Sequence, residues 1–189
     1  MDATLERPLR ELLDKQALHE LVHAYCNAAD RHDHAKMRAL YHEDAIDEHG
    51  SFSKGPASDF IDKLPQIQAP MEILHHNVTT TNFRLDPGSE SGAGATRAEG
   101  EVYILAFHKV RAEGRSYDVL IGGRYFDKYE KRGGVWKFSH RSIVADWAYP
   151  ADPSAVNLEH PFLAGAYIGK PGPADPSYAF FSLFQRGQR

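Results

Sequence analysis

Four segments of the chain alternate polar and apolar side chains with a period of two, and they limit the folds open to it. They cover residues 73–85, 96–110, 117–130 and 135–147 and are rich in Val, Ile, Thr, Tyr and Phe. The last three are ten or more residues long and are joined by the short links AEGR and KRGG. Because long antiparallel strands twist and curl, the pattern predicts a curved meander sheet folded around a cavity.

Helices are predicted ahead of these strands. Two short ones are expected, over residues 35–40 and from Ser58, as the capping residue, to Pro65, which ends the helix. Helices followed by strands are typical of an α+β fold, with the helices closing the cavity. A longer helix is predicted over residues 11–29, where apolar side chains form one stripe: Leu12, Leu13, Leu18, Leu21, Val22 and Tyr25.

The segment after Pro153 differs in composition from the rest of the chain. It contains the irregular stretch GKPGPADPSY, yet it also carries large apolar residues, which disordered tails usually lack. We therefore expect a domain over residues 1–153 and an ordered arm over residues 154–189 that packs on the domain or on a partner subunit, as a pocket lid or a clamp. The apolar residues of the arm are Phe162, Leu163, Tyr167, Ile168, Tyr178, Phe180, Phe181, Leu183 and Phe184.

Charge and apolar runs exclude several classes of protein. Lys plus Arg number 22 and Asp plus Glu 26, so the net charge of −4 gives no electrostatic reason to bind nucleic acid or an anionic membrane. No apolar run approaches about 18 residues, and the N-terminus is too charged for a secretory signal. Cys26 is the single cysteine, which excludes an internal disulfide framework. We expect a cytoplasmic protein.

The first candidate group for chemistry is the helix end YCNAADRHD, with Tyr25 and Asp30. Five residues on a helix correspond to a rotation of about 140°, so these two side chains converge only if the helix ends near Asp30. Asp30 has a structural alternative, in which it pairs with Arg31 or caps the next helix.

The second group is the strand segment HHNVTTTN. Alternation places His76, Val78, Thr80 and Asn82 on one face and His75 on the other. Polar residues on both faces indicate that one face lines a polar cavity. The alternative is that one histidine is a surface residue and the other a hydrogen-bonded core residue.

The third group surrounds Arg141, which lies within a long apolar strand. A buried arginine needs a carboxylate or a ligand anion. Pairing with Asp146 or Asp30 would give it a structural role, whereas contact with a developing oxyanion would give it a catalytic one. The residue type does not separate these two interpretations.

Metal and nucleophile chemistry are weakly indicated. The segment AIDEH contains Asp47, Glu48 and His49, but alternation along the strand points the adjacent His75 and His76 to opposite faces, so they do not form a ligand pair. There is no G-x-S-x-G motif, and Cys26 lies in an apolar helical stretch that is typical of a buried thiol. We therefore expect no metal, no cofactor and no covalent nucleophile.

Together these segments resemble the SnoaL-like branch of the NTF2-like superfamily, which includes scytalone dehydratase, bile-acid 7α-dehydratase and hexachlorocyclohexane dehydrochlorinase. The resemblance runs from about Leu12 to Pro153. It is carried by AYCNAADRHD, LYHEDAIDEHGSFSKG, HHNVTTTNFRLD, EVYILAFH and GGRYFDKYEKRGGVWKFSHRSIVADW. The resemblance implies a cone-shaped, curved antiparallel sheet, or NTF2-like barrel, with the active site inside and no metal or organic cofactor.

The resemblance also implies site residues. The family's helix-end aspartate and the tyrosine five residues earlier fall on Asp30 and Tyr25, and its last-strand arginine falls on Arg141. Its strand histidine lies nine residues before the apolar residue ahead of the hairpin aspartate, which here is Leu85, so the match is His76. The chain departs from the family in three places: Thr80 stands where many relatives have Asn, the hairpin PGSESGAGAT is long, and the arm is extended.

These matches imply a catalytic Asp30–His76 general base, with Tyr25 and Arg141 hydrogen-bonding the leaving oxygen or an enolate. The expected function is a cofactor-independent lyase in the catabolism of aromatic compounds. It would act as a dehydratase on a hydrophobic, oxygenated aromatic or polycyclic small molecule, in a homodimer or homotrimer. The candidate substrate contacts are Tyr41, Thr80, Asn82, Tyr103 and Trp147.

Three alternatives remain open. The same dyad could eliminate formaldehyde from a lignin-derived diaryl diol. The family also contains isomerases and cyclases. A protein of another class, either a binding module or the small subunit of a ring-hydroxylating dioxygenase, would not need Asp30 and His76 in one cavity.

Overall fold

The computed structural model describes residues 3–86 and 94–188, so most of the predicted turn PGSESGAG lies outside the described residues. Before the arm, the described residues form three helices and six strands, which confirms the α+β class. The helices are α1 (Ala3–Asp30), α2 (His34–Ala39) and α3 (Ala57–Gln68), and the strands are β1 (Tyr41–Glu48), β2 (Lys54–Pro56), β3 (Met71–Leu85), β4 (Arg97–Ala112), β5 (Arg115–Arg132) and β6 (Val135–Ala151).

The strands form one curved sheet in the order β2-β1-β6-β5-β4-β3. Strands β3 to β6 make the predicted antiparallel meander. Strand β1 pairs in parallel with β6, so the sheet is mixed, with antiparallel pairing between all its other neighbouring strands. The meander leaves one edge of β6 unpaired, and β1 occupies that edge. The sheet remains open, with β2 and β3 at its edges.

Helix α1 packs against β3 and β6 on one face of the sheet, which we call the inner face; the opposite face is the outer face. Leu18, Leu21 and Val22 of α1 are fully buried there. Leu12 and Leu13 are 63% and 59% exposed, so their predicted place in the buried stripe is wrong. The helix begins eight residues earlier than predicted, and its first turns precede its contact with the core.

Helix α3 continues through Pro65 to Gln68, although a helix end was predicted at the proline. Gln68 is buried, and its Nε2 donates to the carbonyl of Ala29 at 3.1 Å. Its Oε1 lies 2.8 Å from the His34 ring. These contacts hold the last turn of the helix in place although Pro65 cannot donate a backbone hydrogen bond.

A register shift in β3 decides which residues face the core. His76 pairs with Ala106 and Val78 with Ile104, but Thr80 then pairs with Tyr103. One extra residue between Val78 and Thr80 reverses the alternation, as a β-bulge does. Thr81 and Phe83 therefore face inward, whereas Thr80 and Asn82 face outward. The prediction of one shared face for His76, Thr80 and Asn82 is wrong.

The arm after Pro153 attaches to the turn that follows α1. Arg31 Nη1 donates to Asp175 Oδ2 at 2.7 Å, and Gly172 N donates to the Arg31 carbonyl at 3.0 Å. Gly187 N donates to Asp33 Oδ2 at 2.7 Å. Within the chain the arm is therefore held by polar contacts, and burial of its aromatic side chains against a partner subunit remains a prediction. The exposed aromatic side chains of the arm are Phe162, Tyr167, Phe180, Phe181 and Phe184.

Across residues 3–86 and 94–188, no helix combines the length and the apolar character needed to cross a membrane.

Candidate active site

Asp30 and His76 form a hydrogen-bonded pair on the inner face. Asp30 is the last residue of α1, and its Oδ1 lies 2.6 Å from His76 Nδ1. Both carboxylate oxygens also lie 3.1 Å from the backbone nitrogen of His76, which donates to them. Each side chain is 10% exposed. An ionised Asp30 fixes the proton on Nδ1 and leaves Nε2 free to accept another.

The neighbouring histidine points away from this pair. His75 is exposed and pairs with Phe107 across β4, whereas His76 pairs with the buried Ala106. The nine-residue spacing from Leu85 therefore selects the histidine that meets Asp30. The two adjacent residues provide a matched comparison for any test of the site.

A second histidine near the pair was missed in the sequence. His108 lies on the inner face of β4, with its ring centroid 5.9 Å from that of His76. Burial, and then the neighbouring His76, lower the pKa of His108. Its Nδ1 is buried and has no hydrogen-bond partner among the described residues. The signal was available, because His108 is in phase with the apolar Ile104 and Ala106 in EVYILAFH.

Between β3 and β1, the inner face presents an apolar surface that we call the floor, made of Ile104, Ile121, Gly123 and Ile143. The register places Ile104 beside Gly123, and the same alternation places Ile121 and Ile143 on the inner face. Ile121 and Ile143 are half-buried. The floor carries no charge, which suits a hydrophobic ligand.

Arg141 is fully buried, but neither of its predicted partners contacts it. Its Nε and Nη2 each donate to Asp127 at 2.7 Å, while Asp146 pairs with Arg124 on the outer face. Burial opposes the charge, yet Asp127 keeps the pKa of Arg141 well above its ordinary value. In the part of the chain that the structure describes, Arg141 Nη1 is buried without a hydrogen-bond partner. That N–H is chemically able to bind a ligand oxygen.

Aromatic rings surround the guanidinium group. Its central carbon lies 4.0 Å from the ring centroids of Tyr25 and Tyr125 and 4.1 Å from that of Phe138. Cation–π contacts of this kind stabilise a buried arginine. Tyr25 is therefore fixed in the core beside Arg141, on the inner face that also carries the Asp30–His76 pair.

Tyr25 also joins a polar chain. Its Oη lies 3.1 Å from His49 Nε2, and His49 Nδ1 hydrogen-bonds Asp47 Oδ1. Tyr41 Oη donates to Asp47 Oδ2 at 2.7 Å, so Tyr41 is a buried core residue with a structural partner. Burial is the main cause that raises the pKa of Tyr25 well above its ordinary value. Asp47 and His49 thus belong to a hydrogen-bonded chain.

Within residues 3–86 and 94–188, no three His, Cys, Asp or Glu side chains form a group that could bind a metal ion. Cys26 is buried, as predicted. Burial raises the pKa of its thiol to about 12. A thiol with that pKa is a poor nucleophile near neutral pH.

The remaining predicted substrate contacts lie on the outer face. Thr80 and Asn82 are turned outward by the bulge in β3, and Tyr103, the partner of Thr80, is turned outward with them. Trp147 is 48% exposed and lies against Gly122, where a Cβ atom would be 2.1 Å from the indole ring. The prediction that these residues share a cavity with His76 is wrong.

The outer face has a groove of its own, with a volume of about 520 Å³. Asn82 lines it together with side chains of both charges and one exposed phenylalanine. It lies on the side of the sheet opposite the Asp30–His76 pair. The groove is lined by, among others, Glu48, Arg84, Glu99, Glu101, Phe126, Lys128 and His140.

The chain is similar in sequence and in fold to known proteins. The family model of the SnoaL-like domain matches residues 10–142. Gamma-hexachlorocyclohexane dehydrochlorinase from Sphingobium indicum is 28% identical over 169 residues, which is 87% of this chain and 93% of that relative.

Solved structures show the same fold. The type 3 hexachlorocyclohexane dehydrochlorinase from Novosphingobium barchaimii has a TM-score of 0.65 and 22% identity, covering 79% of this chain and 99% of that one. A scytalone dehydratase-like protein from Novosphingobium aromaticivorans has a TM-score of 0.61 and 21% identity, covering 78% and 97%. These neighbours are consistent with a cone-shaped fold.

Proposed function

Because the chain belongs to the SnoaL-like domain family of the NTF2-like superfamily, we propose that it is a cofactor-independent lyase that eliminates a leaving group from a hydrophobic small molecule. The observation that carries the proposal is the 2.6 Å contact between Asp30 Oδ1 and His76 Nδ1. A non-catalytic binding module, or the small subunit of a dioxygenase, has no need for such a pair on its inner face.

His76 is the base of the proposed reaction. Its Nε2 takes a proton from the carbon next to the leaving group, and the electrons of the broken C–H bond form the new C=C bond. The leaving group departs with the electrons of its own bond to carbon. Asp30 keeps the proton on Nδ1 before the step and stabilises the imidazolium after it.

In the proposed complex, the leaving group lies near Tyr25 and Arg141. Arg141 has one buried N–H without a partner in the described chain, and its charge is balanced by Asp127. An N–H of this kind, aimed at an oxygen that becomes negative, stabilises the transition state more than the ground state. The apolar floor would take the hydrocarbon part of the substrate.

The proposed substrate is an oxygenated aromatic or polycyclic compound of a catabolic route, and the proposed reaction is dehydration. The relative from Sphingobium indicum is named for dehydrochlorination, which is the same elimination with chloride as the leaving group. Abstraction of a hydroxyl proton from a diaryl 1,3-diol by the same base would instead form the C=O bond of formaldehyde and break the adjacent C–C bond. The electrons of that bond would form the C=C bond and expel the other hydroxyl. The exposed aromatic side chains of the arm support a homodimer or homotrimer.

Two probe substrates test the proposal. Gamma-hexachlorocyclohexane reports elimination as released chloride. An aromatic 1,3-diol reports dehydration as an unsaturated product that keeps all carbons, and carbon–carbon cleavage as formaldehyde. We expect turnover of at least one probe, and its loss in His76→Ala. Failure of the wild type on both, or full activity of His76→Ala, would contradict the proposed function.

A further inference from the structure

The inner face carries a second Asp–His pair that the proposed base does not use. His49 Nδ1 hydrogen-bonds Asp47 Oδ1, and His49 Nε2 lies 3.1 Å from Tyr25 Oη. Tyr41 Oη donates to the other oxygen of Asp47 at 2.7 Å. Four side chains therefore form one continuous hydrogen-bonded chain that ends at Tyr25.

This hydrogen-bonded chain and the Asp30–His76 base lie toward opposite edges of the sheet. His76 lies on β3 at one edge of the sheet, and Asp47 lies on β1, next to the strand at the other edge. Asp47 pairs by register with Arg141 on β6. The floor lies on β4, β5 and β6, between the two Asp–His pairs.

The two ends of the pair differ in exposure. Asp47 is fully buried, whereas His49 is 14% exposed and its ring stacks on Phe60 of α3 at 4.1 Å between centroids. Packing against Phe60 fixes the plane of the imidazole, and the hydrogen bond to Asp47 fixes its rotation. His49 Nε2 is therefore held toward Tyr25 Oη.

We propose that Asp47 and His49 are positioning residues that make Tyr25 the acid of the elimination, opposite the Asp30–His76 base. This inference rests on the proposed function and assigns the second half of its proton transfer. Tyr25 is the group that touches the leaving oxygen, while His49 and Asp47 act through it.

The proposed step begins with both ring nitrogens of His49 protonated. Nδ1–H donates to Asp47, Nε2–H donates to Tyr25 Oη, and the phenol O–H donates to the leaving hydroxyl. As the C–O bond breaks, the phenol proton moves to the leaving oxygen and forms water, and the Nε2 proton moves to Tyr25. His49 ends neutral and His76 ends protonated, so one proton returns through solvent from His76 to His49.

Burial explains why Tyr25 needs this support. It raises the pKa of Tyr25, so a bare phenolate is disfavoured at this position. Transfer from His49 in the same step avoids the phenolate. Arg141 is already paired with Asp127, so the carboxylate of Asp47 is the anion available to hold the positive charge on His49.

The leaving group decides whether this acid matters. Hydroxide is a strong base and leaves slowly without a proton, whereas chloride leaves without one. Loss of a general acid typically slows a reaction by about 10²–10⁴-fold. The acid residues should therefore affect a hydroxyl-leaving substrate and spare a chloride-leaving substrate, while the base affects both.

The experiment compares two substrates of one carbon framework, with hydroxyl or chloride on the carbon next to the abstracted proton. Tyr25→Phe keeps the ring packing, His49→Gln removes the acid–base group, and His42→Gln is a control because His42 contacts the Glu130 carbonyl instead. We expect Tyr25→Phe and His49→Gln to lose about 10²-fold or more on the hydroxyl substrate and less than about threefold on the chloride substrate. Equal losses on both substrates, or no loss on the hydroxyl substrate, would overturn the inference.

A readout without substrate separates this inference from the proposed function. In ¹⁵N NMR of the histidine rings, Tyr25→Phe should shift His49 Nε2 and leave the ring nitrogens of His76 unchanged. Unchanged His49 resonances would show that the chain is not formed in solution, even if the enzyme is active. An inactive wild type with the expected shift would instead refute the proposed function, and with it the relay, while keeping the hydrogen-bonded chain.

Discussion

Two arginines on neighbouring strands show how differently the two faces of the sheet hold charge. Arg124 on the outer face bonds Glu101 and Asp146, and all three side chains are 25–36% exposed. Arg141 on the inner face is fully buried, bonds Asp127 through two nitrogens and lies among three aromatic rings. Outer-face charges can exchange partners with water, whereas an inner-face charge depends on its one partner.

The same contrast applies to the candidate site. On the inner face, Asp30 and Asp47 are buried and His76 is only 10% exposed, and all three are hydrogen-bonded to named partners. Outer-face residues such as Asn82 and Trp147 are exposed. The face on which a residue lies therefore separates residues that can take part in chemistry inside the fold from residues available to a partner.

The largest expected effect is that of Asp30→Asn on turnover. An amide still bonds the His76 ring, but it can hold the wrong tautomer and does not stabilise the imidazolium. We expect kcat to fall by about 10²–10⁴-fold with the fold unchanged, measured by steady-state kinetics and circular dichroism. Wild-type kcat in this variant would make Asp30 a structural residue and remove the distinction between the faces.

Replacing Arg141 should cause the next largest change, in stability. Arg141→Met leaves the buried Asp127 with the Tyr129 hydroxyl but without its charged partner, and breaking a buried ion pair costs about 3–5 kcal/mol. Urea unfolding should show this loss, while the matched change Arg124→Met on the outer face should barely move the midpoint. Equal midpoints for the two variants would contradict the comparison. If Arg141→Met does not fold, Asp127→Asn tests the same pair.

The arm should contribute a smaller, pH-dependent stability. Burial raises the pKa of the Asp175 carboxyl, but hydrogen bonds from the Ser177 hydroxyl, Lys170 N, Ser177 N and Arg31 outweigh it and lower that pKa to about 2. A depressed pKa stabilises the fold above the unfolded value of about 4, and that contribution is lost as the pH falls toward 2. Asp175→Asn should lower Tm by a few degrees at pH 7 and leave it unchanged near pH 2.

A chain that ends after Pro153 provides the control for the arm, because it removes every contact to residues 31–33. The truncation should lower Tm at neutral pH, as Asp175→Asn does. A smaller particle by size exclusion would indicate that the arm is a subunit clamp. Unchanged Tm, particle size and KM would show that the arm is dispensable.

The smallest effect is expected for Thr80→Ala and Asn82→Ala. Both side chains face outward beyond the bulge in β3, so kcat and KM should stay within about twofold of the wild type. The inward-facing Thr81 is the matched contrast, and Thr81→Val is expected to raise KM more. A tenfold rise in KM for Asn82→Ala, with unchanged circular dichroism, would return Asn82 to the site.

Sequence reasoning succeeded where the signal is local. Alternation and turn residues locate β3 to β6 within a few residues, and the spacing that the family resemblance implies from Leu85 selects the histidine that contacts Asp30. It failed at the bulge, since one extra residue after Val78 reverses every later side chain without changing the composition of the segment.

Long-range partners were beyond the same reasoning. Arg141 meets Asp127 because β5 and β6 are in a particular register, which sequence alone does not provide. Strand β1 was missed because YHEDAIDE reads as charged, although Tyr41, Ala45 and Asp47 are buried. Its parallel pairing with β6 places Asp47 beside Arg141, so the contact of the second Asp–His pair with Tyr25 appears only in the folded chain.

We propose that His76, held by Asp30, is the base on the inner face. A comparison of variants at His76 and at the adjacent His75 is the sharpest test of this role. His76→Ala and His75→Ala should be compared on whichever probe substrate the wild type turns over, with circular dichroism to verify that both variants fold. We expect kcat/KM to fall by about 10²–10⁴-fold in His76→Ala and by less than about threefold in His75→Ala. Loss of activity in His75→Ala alone, or an equal loss in both folded variants, would contradict it.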